Sequence, residues 1–149
     1  MFITVPRLFA WFMLSVAVLG IVRPMSAQER AHHASGVAQF AANQSDFTGS
    51  GHATHLGLYT EVGNVSFAPT GTPGVFAVSG WSHYISASGD ELHADITGAV
   101  DMTTGAIFGT ATYVGGTGRF ATASGSSQLV GQMLGGGALT ITAHGSILY

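Results

Sequence analysis

The chain contains no cysteine and no lysine. Without cysteine, no disulfide can brace the fold and no thiolate can serve as nucleophile or metal ligand, so packing and hydrogen bonding must hold the structure alone. Fixed positive charge is confined to Arg7, Arg23, Arg30 and Arg119. Proteins that grip nucleic acid or anionic lipid neutralise phosphates with many lysines and arginines, so this composition excludes nucleic acid as a partner. Helical periodicity is also missing beyond position 30, and proline occurs only four times. Yet the scarcity of charge does not indicate disorder. Nearly half of the residues are hydrophobic, whereas disordered chains are charge-rich and poor in apolar side chains.

What is present first is an amino-terminal address. Arg7 precedes an apolar run from Leu8 to Val22, and the small residues Ser26 and Ala27 stand before Gln28. That layout reads as a secretory signal peptide over 1–27, cleaved after Ala27, and it predicts a secreted or periplasmic protein with no membrane attachment after cleavage. A membrane anchor is the alternative, but the run is about 15 residues where a span needs roughly 20. The remaining segment of roughly 120 residues is the size of one domain. Residues 28–34 read as a loose tail and 35–149 as a single folded unit.

Within that unit, short segments alternate apolar and polar side chains and are punctuated by Gly, Pro, Asn and Asp. In ELHADITGAVD, Leu92, Ala94, Ile96, Gly98 and Val100 share one face, and Glu91, His93, Asp95, Thr97 and Asp101 the other. LTITAHGSILY sets Leu139, Ile141, Ala143, Gly145 and Ile147 against Thr140, Thr142, His144 and Ser146. Strands are expected over about 35–42, 51–60, 63–68, 74–86, 91–101, 105–114, 119–132 and 138–148, with reversals at Val62-Gly63-Asn64, Thr72-Pro73-Gly74, Gly89-Asp90 and Thr104-Gly105. About eight such strands predict an all-β fold, a small antiparallel up-and-down β-barrel, which leaves no open sheet edge. Glycines inside the strands, Gly57, Gly80, Gly98, Gly109, Gly131 and Gly145 among them, permit the bends that closure demands.

YVGGTGRFATASG, Tyr113 to Gly125, has the glycine density of a phosphate loop. Such a loop must open a helix whose N-terminal amides hold the anion. The following RFATASGSSQLVG has strand spacing, so the glycines turn the chain instead. This stretch, with its Gly115, Gly116, Thr117, Gly118, Arg119, Phe120 and Gly125, together with GHATHLGLYT (Gly51 to Thr60), resembles small secreted bacterial proteins with the allene oxide cyclase-like barrel, a fold similar to that of plant dirigent proteins. The resemblance implies an eight-stranded barrel whose interior accepts a small apolar ligand, and homo-oligomers, trimers as in the plant relatives. It does not bring a reaction with it.

Chemistry is harder to place. Seven histidines suggest metal, but the H-x-x-H of His52 and His55 puts its rings on opposite faces of a strand, and His32 and His33 fall in the expected tail. No specific metal site, no cofactor and no catalytic residue is predicted. No G-x-S-x-G elbow occurs. His93 with Asp95, and His55 with Tyr59 and Glu61, each place an acid near a base. Both sets lie opposite apolar positions (Leu92 and Ile96; Leu56 and Leu58), which predicts that they face solvent. Trp81 and His83 share a parity with Val75, Ala77 and Ile85 and are expected on the lumen side, as contacts for a small hydrophobic ligand or as packed core. Arg119 is expected to pair with an acid near the turn, Asp95 or Asp101. The sequence therefore predicts a non-enzymatic secreted barrel that binds an apolar ligand or serves structurally, with a cofactor-free cyclase or isomerase as the alternative.

Overall fold

The computed structural model describes residues 28–149; the expected signal peptide lies outside them. Eight antiparallel strands follow one another around a closed barrel: β1 (Arg30–Phe40), β2 (Asp46–Ala53), β3 (Gly57–Pro69), β4 (Val75–Ser86), β5 (Glu91–Asp101), β6 (Ala106–Gly116), β7 (Ser124–Gly135) and β8 (Ala138–Leu148). Each strand pairs with its neighbours in sequence, and β1 closes the circle on β8 from Arg30↔Ile147 to Gln39↔Ala138. The only helical element among the described residues is a 3-10 turn, Gly118–Phe120.

Closure corrects several expectations. Arg30 to Ala34 form no loose tail, because β8 would otherwise be left with an open edge and the first part of β1 supplies its partner. The reversal expected at Val62-Gly63-Asn64 is the middle of β3, paired on both sides. The chain turns earlier, at Thr54-His55-Leu56, which splits the single strand expected over 51–60. The turns at Thr70–Gly74, Gly89-Asp90 and Thr104-Gly105 lie where the glycines place them.

The two ends of the barrel differ. At one end, the β2–β3 and β4–β5 turns and the β6–β7 connection meet the beginning of β1 and the end of β8. Here Leu92, Phe120 and Ile147 are wholly buried, with Leu56 and Ala123 nearly so. Phe120 is delivered by the 3-10 turn, and that turn depends on Gly118. Its φ of +55° is left-handed, and a Cβ there would fall 1.9 Å from an Asp90 carboxylate oxygen. Thus the GGTGRF stretch lowers a stopper into the barrel. At the other end, Phe40, Phe67, Phe76, Met102 and Met133 rim an open bowl of about 580 Å³.

Because Phe120 is 0% exposed, removing its ring leaves a cavity that the surrounding strands can close only in part. Phe120→Ala is expected to destabilise the protein by about 3–5 kcal/mol in urea unfolding. A loss below about 1 kcal/mol would show that the stopper does not hold that end.

Candidate functional site: a lumen with a buried carboxyl

Inside the barrel, alternate residues of every strand converge on a narrow axis. From β3 come Tyr59, Glu61, Val65 and Phe67 in order from the stoppered end toward the mouth, and Tyr59, Glu61 and Val65 are buried. From β4 come Phe76, Val78, Gly80, Ser82, Tyr84 and Ser86. This reverses the expected faces of both strands. Leu58 and Val62 point outward, with Leu58 71% exposed, while Tyr59 and Glu61 point in. Trp81 is 42% exposed on the outer wall, and His83 lies beside it on the same face. Alternation divides a strand into two faces without saying which is inside. In β4 the inner face carries Gly80, Ser82 and Ser86, so hydrophobicity points the wrong way.

Close approach of backbone makes room for these inner side chains. The Tyr59 hydroxyl passes over Gly36 and Gly51, where an added Cβ would stand 2.6 Å from it in either case. Glu61 faces Gly49 across β2 and Tyr84 across β4. The Ser82 hydroxyl donates to Glu61 Oε1 at 2.5 Å. Tyr113 and Ser127 share a hydroxyl contact of 2.8 Å nearer the stopper, and the Tyr59 and Tyr84 rings meet edge to face with centroids 5.4 Å apart.

Burial dominates the electrostatics of this group. Loss of hydration raises the Glu61 carboxyl above its ordinary range, against the smaller lowering by the Ser82 and Tyr84 hydroxyls. Tyr84 and Tyr59 are pushed up by burial first and then by the neighbouring Glu61. Burial therefore favours the protonated form of Glu61, which lies beside the Ser82 and Tyr84 hydroxyls. The Ser82 proton is committed to Glu61, while a protonated Glu61 and the Tyr84 phenol can each donate or accept.

Toward the mouth the lumen becomes hydrocarbon. A cavity of about 100 Å³ is walled by Phe47, Val65, Val78, Ile96, Ile107 and Leu139 among others, with Glu61 and Tyr84 as its only polar lining. Phe40, Phe67 and Met133 line both this cavity and the outer bowl. These three side chains therefore form the boundary between the inner cavity and the bowl.

The other sequence candidates are distributed elsewhere. His93 contacts Glu91, Nε2 to Oε2 at 2.9 Å, in preference to Asp95. His83 stacks on His93, centroids 3.7 Å apart, because the two residues pair directly across β4 and β5. Arg119 approaches Asp90 at 3.6 Å and donates to the His55 carbonyl at 2.9 Å, with neither Asp95 nor Asp101 as its partner. The turn that carries Arg119 lies at the stoppered end, whereas Asp101 closes β5 at the mouth. His55 remains in its turn, its Nε2 2.8 Å from the Ala31 carbonyl and its Nδ1 3.2 Å from the Tyr149 hydroxyl. The sequence assigned Glu61, with His55 and Tyr59, to solvent, whereas Glu61 is buried, and it did not single out Ser82 or Tyr84. Their signal was Glu61 itself, a lone acid in an otherwise uncharged strand.

His32 sits above this floor, 3% exposed and edge-on to Tyr113, with no hydrogen-bond partner for Nδ1 among the described residues. Burial, and then the neighbouring His55 and His33, lower its pKa from 6.5 to about 4. As pH falls below the unfolded value, the unfolded chain takes up a proton that the folded chain refuses. Stability is therefore expected to fall by on the order of 3 kcal/mol between about pH 7 and pH 4 on account of this residue. His32→Phe should flatten that part of the profile in urea unfolding. An identical pH dependence in the variant would contradict the assignment.

Compared with models of known protein families, the chain matches none, and no curated protein is similar to it.

Proposed function

We propose that the protein is a secreted β-barrel that binds a small, uncharged, largely apolar molecule in its lumen, with one oxygen of the ligand turned toward Glu61. The observation that carries this reading is a hydrocarbon cavity with the buried Glu61 carboxyl in its lining, a group whose pKa burial raises. Apolar pockets with a few placed polar groups are the usual form of small-molecule sites. The floor offers hydrogen-bond donors, so it suits a ketone, alcohol, phenol or epoxide oxygen. A ligand carboxylate would bring charge into the same low-dielectric space at high cost. The enclosed volume of about 100 Å³ takes a ring or a short branched end, and a longer body would extend into the bowl. The resemblance to allene oxide cyclase-like barrels supports the same use of the lumen.

A specific observation also favours a second reading, a cofactor-free isomerase or cyclase. Glu61, Ser82 and Tyr84 converge at one point, and a carboxyl whose pKa burial raises is better equipped than an ordinary glutamate to donate a proton to a developing alkoxide. Proton donation by Glu61 is the one step that separates catalysis here from binding.

Ligand binding is tested by thermal shift and calorimetry with a panel of terpenoid and aromatic ketones, alcohols and phenols, alongside fatty-acid anions. At least one uncharged member should bind saturably, better than the anions. Ile107→Trp, which fills the cavity from β6, should abolish binding while leaving the circular dichroism spectrum unchanged. Glu61→Gln retains a donor and should retain binding, while losing any turnover. No saturable binding across the panel, or undiminished binding in folded Ile107→Trp, would overturn the proposal.

A further inference from the structure

On the outer wall, remote from the lumen, the β4–β5 register assembles three ligand-type side chains that are scattered in sequence. His83 stands directly opposite His93, and Glu91 precedes His93 by two positions on the same face. One donor atom from each of the three lies within 4.8 Å of the others. The imidazoles are nearly parallel, 12° apart, and the Glu91 carboxylate is already 2.9 Å from His93 Nε2.

We propose that His83, Glu91 and His93 form a binding site for a divalent transition ion of the zinc class. Two imidazoles and a carboxylate are a ligand set for Zn²⁺ and its neighbours Co²⁺, Ni²⁺ and Cu²⁺, while hard Mg²⁺ and Ca²⁺ prefer oxygen. Zinc binds nitrogen at about 2.0–2.1 Å and carboxylate oxygen at about 2.0–2.2 Å. Donors already within 4.8 Å of one another need only side-chain rotation to converge on one ion. Strand pairing holds the three backbones rigidly, so little order has to be created on binding. All three side chains are half-buried, between Trp81 on one side and the turn at Gly89 on the other. Val62, which faces His83 from β3, contributes no donor. Three protein ligands leave a position open for water or a further group.

This arrangement differs from the other close pair of imidazoles. His33 and His144 meet across β1 and β8 with Nδ1 atoms 2.7 Å apart, but the two form no three-residue ligand cluster among the described residues. That pair therefore serves as an internal control.

Zn²⁺ is titrated calorimetrically into the purified, untagged protein, and Co²⁺ absorption is recorded in parallel to report coordination. The expected result is one strong equivalent of Zn²⁺, and a Co²⁺ spectrum with the ligand-field bands of a low-coordinate site. His83→Ala and His93→Ala should each weaken Zn²⁺ by more than about tenfold, the loss that even a supporting partner of a metal ligand can cause, and Glu91→Gln should weaken it less. The double variant His33→Ala/His144→Ala should bind as the parent does. Since the three positions lie on the outer wall, their variants should keep the parent circular dichroism spectrum. The proposal is overturned if no strong equivalent binds, if the His83 and His93 variants bind undiminished, or if binding is lost in the His33/His144 double variant.

Discussion

Pairing of β1 with β8 is the constraint from which the remaining architecture follows. It joins the first and last strands without a disulfide and removes the last open edge of the sheet. Once the sheet is closed, half of the side chains on every strand must share one narrow interior. Eight strands enclose a space that side chains nearly fill, so the size of each inward residue is limited by its neighbours across the axis. Glycines at Gly36, Gly49 and Gly51 leave the room that Tyr59 and Glu61 occupy.

The interior is graded along that axis. Leu92, Phe120 and Ile147 seal one end; Tyr59, Tyr113 and Ser127 form a hydrogen-bonded and aromatic layer beneath them; Glu61, Ser82 and Tyr84 make the floor; hydrocarbon leads to the mouth. Such a gradient gives the lumen a direction. The apolar cavity lies on the Phe40, Phe67 and Met133 side of Glu61 and Tyr84, away from the stoppered end. The upward shift of the Glu61 carboxyl follows from the same burial, which removes more hydration than Ser82 and Tyr84 replace.

Much of the fold was legible in the sequence. The alternation in Glu91–Asp101 and Ala138–Leu148 identified both strands and their inner faces, because there the apolar side chains point in and the polar ones out. The site was not legible, for two physical reasons. In β3 and β4 the lumen face carries Tyr59, Glu61, Ser82 and Ser86, while Leu58 and Trp81 stand outside, so hydrophobic patterning assigned each face the wrong way round. Moreover, the register between strands is not written in either strand alone. His83 and His93 become neighbours only when β4 and β5 pair, as do Glu61 and Tyr84 when β3 and β4 pair. The GGTGRF stretch shows the converse. Its glycines were correctly read as turning the chain, but their purpose, seating Phe120 in the end of the barrel, depends on tertiary packing.

The central claim is that burial in the lumen shifts the Glu61 carboxyl upward, and the glutamate side-chain carboxyl carbons report on it directly. The described residues contain three glutamates, Glu29, Glu61 and Glu91. In a carbon-13 NMR titration of the labelled protein, the Glu61 signal, assigned by its loss in Glu61→Gln, should retain the chemical shift of a protonated acid well above the ordinary glutamate midpoint of about 4.3. A Glu61 signal that titrates at that ordinary midpoint would contradict the account.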